Sequence, residues 1–364
     1  MTANVQKRDS GIDLLRLAAM GLIVLHHLLI HGGIAFAFPA FSASGMVMHF
    51  FNAVTRCAVN TYALISGYVM VQSRFRPSRW MGLWLQVVFY GLLAALCLPL
   101  MGGTFRPFQL FRAVTPVSHD QYWYFTCYTV VFFLSPFLNL LLKQLSGRQT
   151  ALLTAGLTGL FSVLPALMLT DRFQLNGGYH PVWLAVLYLI GGAMKLHGEA
   201  LLKKRKTAAA VFVVCVMLGW GFRLLVLKAG MDWLEELLLN YTAPTMLACS
   251  AALLVLFAGR ILPGWLAKAA SVLSPLTFGV YLIHDNPLVR EYLIKMKLTG
   301  LAGLSPAGML AGLFACWAGV YALCLALEWG RAKLFDLLKV PSLCARAENR
   351  LFQWAQRRFP GADA

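Results

Sequence analysis

An apolar stretch near the amino terminus carries four ionisable side chains. Residues 13–27 read DLLRLAAMGLIVLHH, with Asp13 and Arg16 at one end and His26 and His27 at the other. A neutral histidine with one free ring nitrogen is suited to take a proton from a substrate near neutral pH. The residue types therefore point to proton-transfer chemistry at the histidine end of this stretch.

A helix would place several of these side chains together. Arg16 and His27 are 11 residues apart. On an α-helix that spacing is three turns plus about 20°, so both lie on one face, about 16 Å apart. Asp13 is predicted to pair with Arg16 one turn away, His31 continues the face, and His26 points about 100° aside. One reading is structural, with Asp13 and Arg16 as an interfacial ion pair and His27 hydrogen-bonded to a neighbouring helix. We favour a functional site, because charges inside a bilayer are costly and three such groups share one face.

The remainder of the chain indicates that this helix crosses a membrane. The 364 residues are 59% hydrophobic and 12% charged, with a mean hydropathy of +0.69. Apolar runs of about 20 residues are typical of transmembrane helices, and only helices fit such runs in hydrocarbon. We predict an all-α, polytopic integral membrane bundle, with one transmembrane domain over 1–329 and a basic amphipathic cytoplasmic tail over 330–364. The ten predicted spans lie near 12–31, 48–71, 80–101, 121–142, 150–169, 181–197, 207–227, 242–258, 272–289 and 305–329.

The distribution of positive charge predicts the orientation. With the amino terminus in the cytoplasm, 21 lysines and arginines fall in predicted cytoplasmic segments and 7 in outer segments. This bias follows the positive-inside rule and predicts that both termini are cytoplasmic. It also accounts for most of the net charge of +17, so we expect no nucleic-acid partner. The tail mixes Leu, Phe and Trp with Lys and Arg, which predicts a helix lying on the membrane lipids of the inner leaflet.

The amino-terminal segment and the cysteines argue against two other features. Lys7 and Arg8 precede an apolar stretch as in a secretory signal, but ionisable residues interrupt that stretch. We therefore expect an uncleaved first helix. Seven of the eight cysteines fall within apolar runs, and no Cys-x-x-Cys occurs. They are predicted to be small buried apolar residues, with no disulfide framework and no metal site.

Three arginines lie close together between the second and third spans. The segment SRFRPSRW, residues 73–80, contains Arg74, Arg76 and Arg79. For an isolated loop, ordinary positive-inside charge is the favoured interpretation. The alternative is an anion-binding site, because guanidinium groups bind phosphates in a bidentate manner.

Further candidates lie toward the predicted outer side. His284 and Asp285 occur in YLIHDNP at the end of the ninth span, and Arg56 is a charge within the second span. Trp123 belongs to the aromatic segment HDQYWYF at the start of the fourth span. An interfacial aromatic belt is the simpler reading of that segment. Because aromatic faces also stack on sugars, substrate binding is the alternative.

These segments together resemble the acyltransferase-3 family, bacterial membrane O-acyltransferases that modify cell-surface polysaccharides. The resemblance rests on IDLLRLAAMGLIVLHH, NTYALISGYVM, YWYFTCYTVVFFLSPFLN and TFGVYLIHDNP, which follow one another along nearly the whole chain. The most specific element is an arginine followed, after ten residues, by a histidine on the first helix. Arg16 and His27 match it, and Arg76 and Arg79 match the family's Arg-x-x-Arg after the second span.

The resemblance implies a multi-pass protein of the bacterial inner membrane that uses acetyl-CoA as acyl donor. The phosphates of acyl-CoA would contact Arg76 and Arg79, with Arg74 nearby, and the pantetheine arm would extend past Arg16. The acceptor would be a hydroxyl of a cell-surface or lipid-linked glycan on the outer side. His27 would deprotonate that hydroxyl or carry the acyl group itself, and the sequence does not choose between these routes.

The resemblance also leaves roles for the remaining candidates. His284, Arg56 and Trp123 would bind the sugar, and the alternative role of His284 or Arg56 would be to stabilise the oxyanion. Two other functional classes stay open. A transporter or flippase of lipid-linked glycans would suit the intramembrane charges and a helix interrupted by Pro275, although no repeated halves occur. A non-catalytic scaffold or sensor would not require His27.

Overall fold

The computed structural model describes residues 8–358. Among these residues the regular structure is helical, with short 3₁₀ and π segments and no β-strand. The α-helices, in chain order, are α1 Ser10–Ile30, α2 Ala43–Arg56, α3 Ala58–Met70, α4 Pro77–Cys97, α5 Pro107–Val114, α6 Trp123–Gln144, α7 Gly147–Thr158, α8 Leu164–Met168, α9 Pro181–His197, α10 Glu199–Leu202, α11 Arg205–Lys228, α12 Pro244–Phe257, α13 Gly264–Leu273, α14 Thr277–His284, α15 Pro287–Val289, α16 Pro306–Leu337 and α17 Val340–Arg358.

The helices agree with a multi-pass membrane protein. Seven helical segments of the described chain are long and apolar enough to cross a membrane, and α9 and α12 are shorter apolar helices. The predicted second span is divided into α2 and α3 at Cys57. The all-helical fold is therefore confirmed, whereas the count of ten crossings and the sides of the termini stay predictions.

Helix α1 lies at the centre of the bundle. The Asp9 carboxylate caps its first turn by accepting hydrogen bonds from the backbone N–H groups of Gly11 and Ile12. The helix packs against α2, α3, α12, α13, α14 and α16. Gly11 permits one of these contacts, because a Cβ there would overlap the Phe257 carbonyl of α12. The predicted row of ionisable groups therefore faces protein on most sides.

Small residues allow α3 and α9 to approach closely. A Cβ on Gly67 would overlap the backbone of Tyr188, and a Cβ on Gly191 would overlap the backbone of Leu64. Such reciprocal small-residue packing is common between membrane helices. This close packing explains why α9 contains a pair of glycines although glycine has a low helix propensity.

The carboxy-terminal segment is helical on both sides of a short turn. Helix α16 continues to Leu337, past the predicted domain end at 329, and α17 packs against α4. Cys344 and Glu348 of α17 are buried, while Leu343, Leu351 and Trp354 are exposed. An exposed apolar stripe on a basic helix suits a lipid surface, and the inner-leaflet location stays a prediction.

Candidate active site

A cavity of about 370 Å³ surrounds the histidines at the carboxyl end of α1. We call it the histidine cavity. Its polar lining comes from α1, from the end of α2 and from the segment after α14. The polar and charged side chains that line it, aromatic hydroxyls aside, are His26, His27, His31, Arg56, Asp285 and Arg290. The cavity therefore joins residues from distant parts of the sequence around the predicted catalytic histidine.

The hydrogen bonds of His284 define the tautomer of His27. His284 Nδ1 lies 2.6 Å from the Val280 carbonyl oxygen, which can only accept, so this nitrogen carries a proton. With both imidazoles neutral, His284 Nε2 is then the acceptor for His27 Nδ1–H, 2.9 Å away. This leaves a free lone pair on His27 Nε2. His27 lines the cavity, whereas His284 is buried behind it.

The end of α14 is fixed in place by Tyr122. The Tyr122 hydroxyl donates to the Leu282 carbonyl at 2.8 Å and accepts from Asn286 Nδ2 at 2.6 Å. These bonds join the start of α6 to both sides of His284. Tyr122 thereby restrains the residue that orients His27.

An ion pair closes one side of the histidine cavity. Arg290 Nη1 lies 3.0 Å from Asp285 Oδ1, and the same oxygen is 3.6 Å from His27 Nδ1 and 4.0 Å from His31 Nε2. His27, His31 and Asp285 have the donor atoms of a metal site. However, His27 Nδ1 is directed at His284 and the carboxylate is occupied by Arg290. The donor set in this geometry fits a hydrogen-bonded network better than a cation site.

Arg56 reaches the histidine cavity from the end of α2 and is neutralised there. Its Nη2 lies 2.5 Å from Glu236 Oε2, and Glu236 also accepts from Arg223 at 3.1 Å. Arg223 in turn pairs with Glu235 at 2.7 Å. The sequence analysis singled out Arg56 as an intramembrane charge but did not identify its partners. Two adjacent glutamates before the twelfth helix were the available signal.

Aromatic rings form another wall of the histidine cavity. The Trp123 ring is stacked on Tyr241, with ring centroids 5.9 Å apart and an interplanar angle of 14°. Tyr179 lies 4.4 Å from the Trp123 ring and 5.1 Å from the Tyr241 ring. All three line the cavity. The predicted aromatic residue of α6 is thus part of a cluster next to His27.

A second cavity of about 660 Å³ lies at the opposite end of α1. We call it the arginine cavity, because Arg16, Arg79 and Arg331 line it. Arg79 is in the first turn of α4 and makes no side-chain hydrogen bond or ion pair within the described chain. Arg74 and Arg76 are exposed and lie outside the lining. The structure therefore brings one of the three predicted loop arginines to the same cavity as Arg16.

Asp13 links α1 to the turn between α13 and α14. Its buried carboxylate accepts from Arg8 Nε at 2.5 Å and from the Ser274 hydroxyl at 2.7 Å. Arg16 Nη1 lies farther away, at 3.6 Å from Asp13 Oδ1. The predicted pair of Asp13 and Arg16 is therefore present, but it is the longest of the three contacts of Asp13. The hydrogen bonds of Asp13 are made to Arg8 and Ser274.

Glu328 and Arg331 form a buried group that the sequence analysis did not single out. Glu328 accepts from Gln86 Nε2 at 3.0 Å and from the Tyr90 hydroxyl at 2.8 Å, and it pairs with Arg331. Gly279 of α14 makes room for this carboxylate. Arg331 had been counted as ordinary cytoplasmic charge, yet it lines the arginine cavity. A glutamate within the last apolar run was the signal that pointed to this group.

Comparison with known proteins identifies one family. A family model described as an acyltransferase domain matches residues 9–329. The match covers the residues that line the histidine cavity and most of those that line the arginine cavity. No curated protein and no solved structure matches the chain.

Proposed function

This chain belongs to the acyltransferase-3 family, and from that premise we propose that it moves an acetyl or other short acyl group from acyl-CoA to a glycan hydroxyl. In this proposal acyl-CoA binds in the arginine cavity and the glycan, free or lipid-linked, binds in the histidine cavity. The observation that carries the proposal is the free lone pair on His27 Nε2. This nitrogen is left free by the His284 hydrogen bond in a cavity large enough for a small part of a sugar.

The arginine cavity suits a negatively charged donor. Arg16 and Arg79 supply positive charge, and Arg79 has no acidic partner in the described chain. Guanidinium groups without protein acceptors are favourable sites for phosphate oxygens. Arg74 and Arg76 are exposed near the start of α4, where they add positive charge to the surface beside Arg79. Arg331 is already paired with Glu328 and therefore contributes little net charge.

The histidine cavity suits a polar acceptor with an apolar face. The cluster of Trp123, Tyr179 and Tyr241 offers aromatic surface, and the sides of a sugar ring stack on such surface. Arg56 and Arg290 are each held by a carboxylate, so the lining carries little net charge. A neutral hydroxyl-rich acceptor is therefore favoured over a strongly acidic one.

Two routes of transfer use the same nitrogen. In direct transfer, His27 Nε2 takes the proton of the acceptor hydroxyl while its oxygen attacks the thioester carbonyl. The C–S bond then breaks, and the sulfur leaves as a thiol with the proton from His27. In two-step transfer, Nε2 attacks the carbonyl, the C–S bond breaks and the sulfur leaves as a thiolate. The acceptor hydroxyl then attacks the acyl carbon, the bond to Nε2 breaks, and the hydroxyl proton balances the negative charge of the thiolate. In both routes His284 is a positioning residue that stabilises positive charge on His27.

The test is the ester content of the cell surface. We expect His27→Ala and Arg16→Ala to abolish O-acylation of surface glycans, measured as acyl mass by mass spectrometry, while the protein still reaches the membrane. His197→Ala is a matched control, because His197 ends α9 and lines neither cavity. Retention of the ester in His27→Ala would contradict the proposal. Transport of an unmodified glycan by that variant would favour the flippase reading.

A further inference from the structure

The two cavities are separated by the same aromatic side chains. Tyr62 of α3, Tyr124 of α6 and Phe278 of α14 line both the histidine cavity and the arginine cavity. These three residues are the only ones common to both linings within the described chain. The rings of Tyr62 and Tyr124 meet edge to face, with centroids 6.2 Å apart. A group that moves between the two cavities along their shared lining therefore moves past these rings.

Hydrogen bonds hold one of the three rings in place. The Thr277 hydroxyl donates to the Ser274 carbonyl at 2.8 Å, so the Tyr62 hydroxyl donates to Thr277 Oγ1 at 2.5 Å. The Ser274 side chain donates to Asp13. The orientation of Tyr62 is thus fixed by Thr277, the first residue of α14. Phe278 is the next residue in the sequence. We call the three rings the aromatic constriction.

We propose that the aromatic constriction selects the acyl group by its width. The inference rests on the proposed function, because the thioester must travel from the arginine cavity to His27. The cysteamine end of the pantetheine arm and an unbranched acyl chain have similar cross-sections, whereas an acyl chain with a branch next to the carbonyl is wider. Since protein interiors are close-packed and yield little, a branched acyl group would have to displace the rings. Narrow groups such as acetyl and butanoyl pass with smaller movements.

The geometry assigns the selection to these residues rather than to either cavity. The cavities of about 370 and 660 Å³ have room for a few additional carbon atoms. At the constriction, the ring of Tyr62 is also restrained from moving aside, because its hydroxyl is hydrogen-bonded to Thr277. Tyr62, Tyr124 and Phe278 are therefore specificity-determining residues for the donor. Phe278 is the most suitable to truncate, since it is only partly buried and has no hydroxyl to leave unpaired.

Two donors of equal composition test this proposal. Membrane vesicles that contain the full chain and the host's own glycan are supplied with labelled butanoyl-CoA or isobutanoyl-CoA, and label in the glycan fraction is measured. We expect the wild type to use isobutanoyl-CoA about tenfold less well or worse, in the range that pockets achieve for one misplaced methyl group. Phe278→Ala should reduce this preference to about threefold or less by raising the use of the branched donor.

The control is an aromatic residue that lines one cavity only. Phe335 lines the arginine cavity and not the histidine cavity, so Phe335→Ala should keep the wild-type ratio. Phe278→Leu serves as a second variant in case Phe278→Ala folds poorly, and it should shift the ratio less and in the same direction. Size-exclusion chromatography in detergent checks folding for every variant.

The outcomes separate the inference from the proposed function. If the wild type transfers acetyl but does not distinguish the two butanoyl isomers, the constriction does not select the donor. The same conclusion follows if Phe278→Ala and Phe278→Leu both keep the wild-type ratio, or if Phe335→Ala changes it equally. If the wild type transfers no acyl group from acetyl-CoA, the proposed function itself fails.

Discussion

Replacing His284 tests whether a second histidine sets the reactivity of His27. His284→Phe keeps a ring in the space behind His27 but removes the Nε2 that accepts from His27 Nδ1, 2.9 Å away. The matched variant His284→Gln restores an acceptor oxygen near the position of that nitrogen. Both substitutions leave the arginine cavity untouched, because His284 does not line it.

The expected loss follows from the unpaired nitrogen. Leaving a buried donor without an acceptor costs about 1–3 kcal/mol. His27 would then favour the tautomer with the proton on Nε2, in which the reactive lone pair is missing. At the usual conversion of free energy into rate this amounts to a loss of about 5- to 150-fold in kcat. Asp285 Oδ1 lies 3.6 Å from the same nitrogen and accepts after a small shift, which favours the lower half of that range.

Vesicle assays with labelled acetyl-CoA measure both kinetic constants. We expect His284→Phe to lower kcat without changing KM for acetyl-CoA, and His284→Gln to recover most of the loss. A merely structural role for His284 would lower the amount of folded protein and leave kcat per folded molecule unchanged. Wild-type kcat in His284→Phe, or equal loss in both variants, would refute the proposed role of the hydrogen bond.

Two other predictions follow from the cavity linings and the glycine contacts. Arg79→Ala should weaken acetyl-CoA binding about tenfold or more, as expected for loss of a charge-assisted hydrogen bond. Arg74 lies outside the cavity, so Arg74→Ala should weaken binding much less. Titration of each detergent-purified variant with acetyl-CoA measures the difference, and equal effects would place the donor phosphates elsewhere. Gly279→Ala should destabilise the fold by about 1–3 kcal/mol through overpacking, because its Cβ would overlap Glu328. Gly221→Ala meets no atom within 4 Å and should melt at or slightly above the wild-type temperature, because alanine favours the helix more than glycine does. Equal melting temperatures for the two variants would contradict this.

Local sequence patterns were sufficient for the helices and for the face of α1. Apolar runs determine where membrane helices form, because every backbone hydrogen bond is made within the helix. The 3.6-residue period then places Arg16 and His27 on one side. These inferences need no knowledge of neighbouring helices. The division of the second span at Cys57 was missed, because no proline or glycine marks the break between Arg56 and Ala58.

The arginine loop shows where spacing alone is insufficient. The loop contains three arginines within six residues, Arg74, Arg76 and Arg79, and of these only Arg79 reaches the arginine cavity. The difference depends on where α4 begins and on how it packs against α17. Arg331 was overlooked for a related reason. Its partner Glu328 is close in sequence, but the burial of that carboxylate depends on Gln86 and Tyr90 of α4 and on Gly279 of α14.

The amino-acid sequence by itself determined the membrane class, the helical fold and the alignment of a carboxylate, a guanidinium and an imidazole along one helix. Only the tertiary structure decided that His27 meets His284, 257 residues away, that Asp13 is held by Arg8 and Ser274, and that three rings separate two cavities. The physical reason is that helix formation and helix faces depend on interactions within a few turns. The partners of a buried polar group depend on which helices pack together, and that packing is a property of the whole chain.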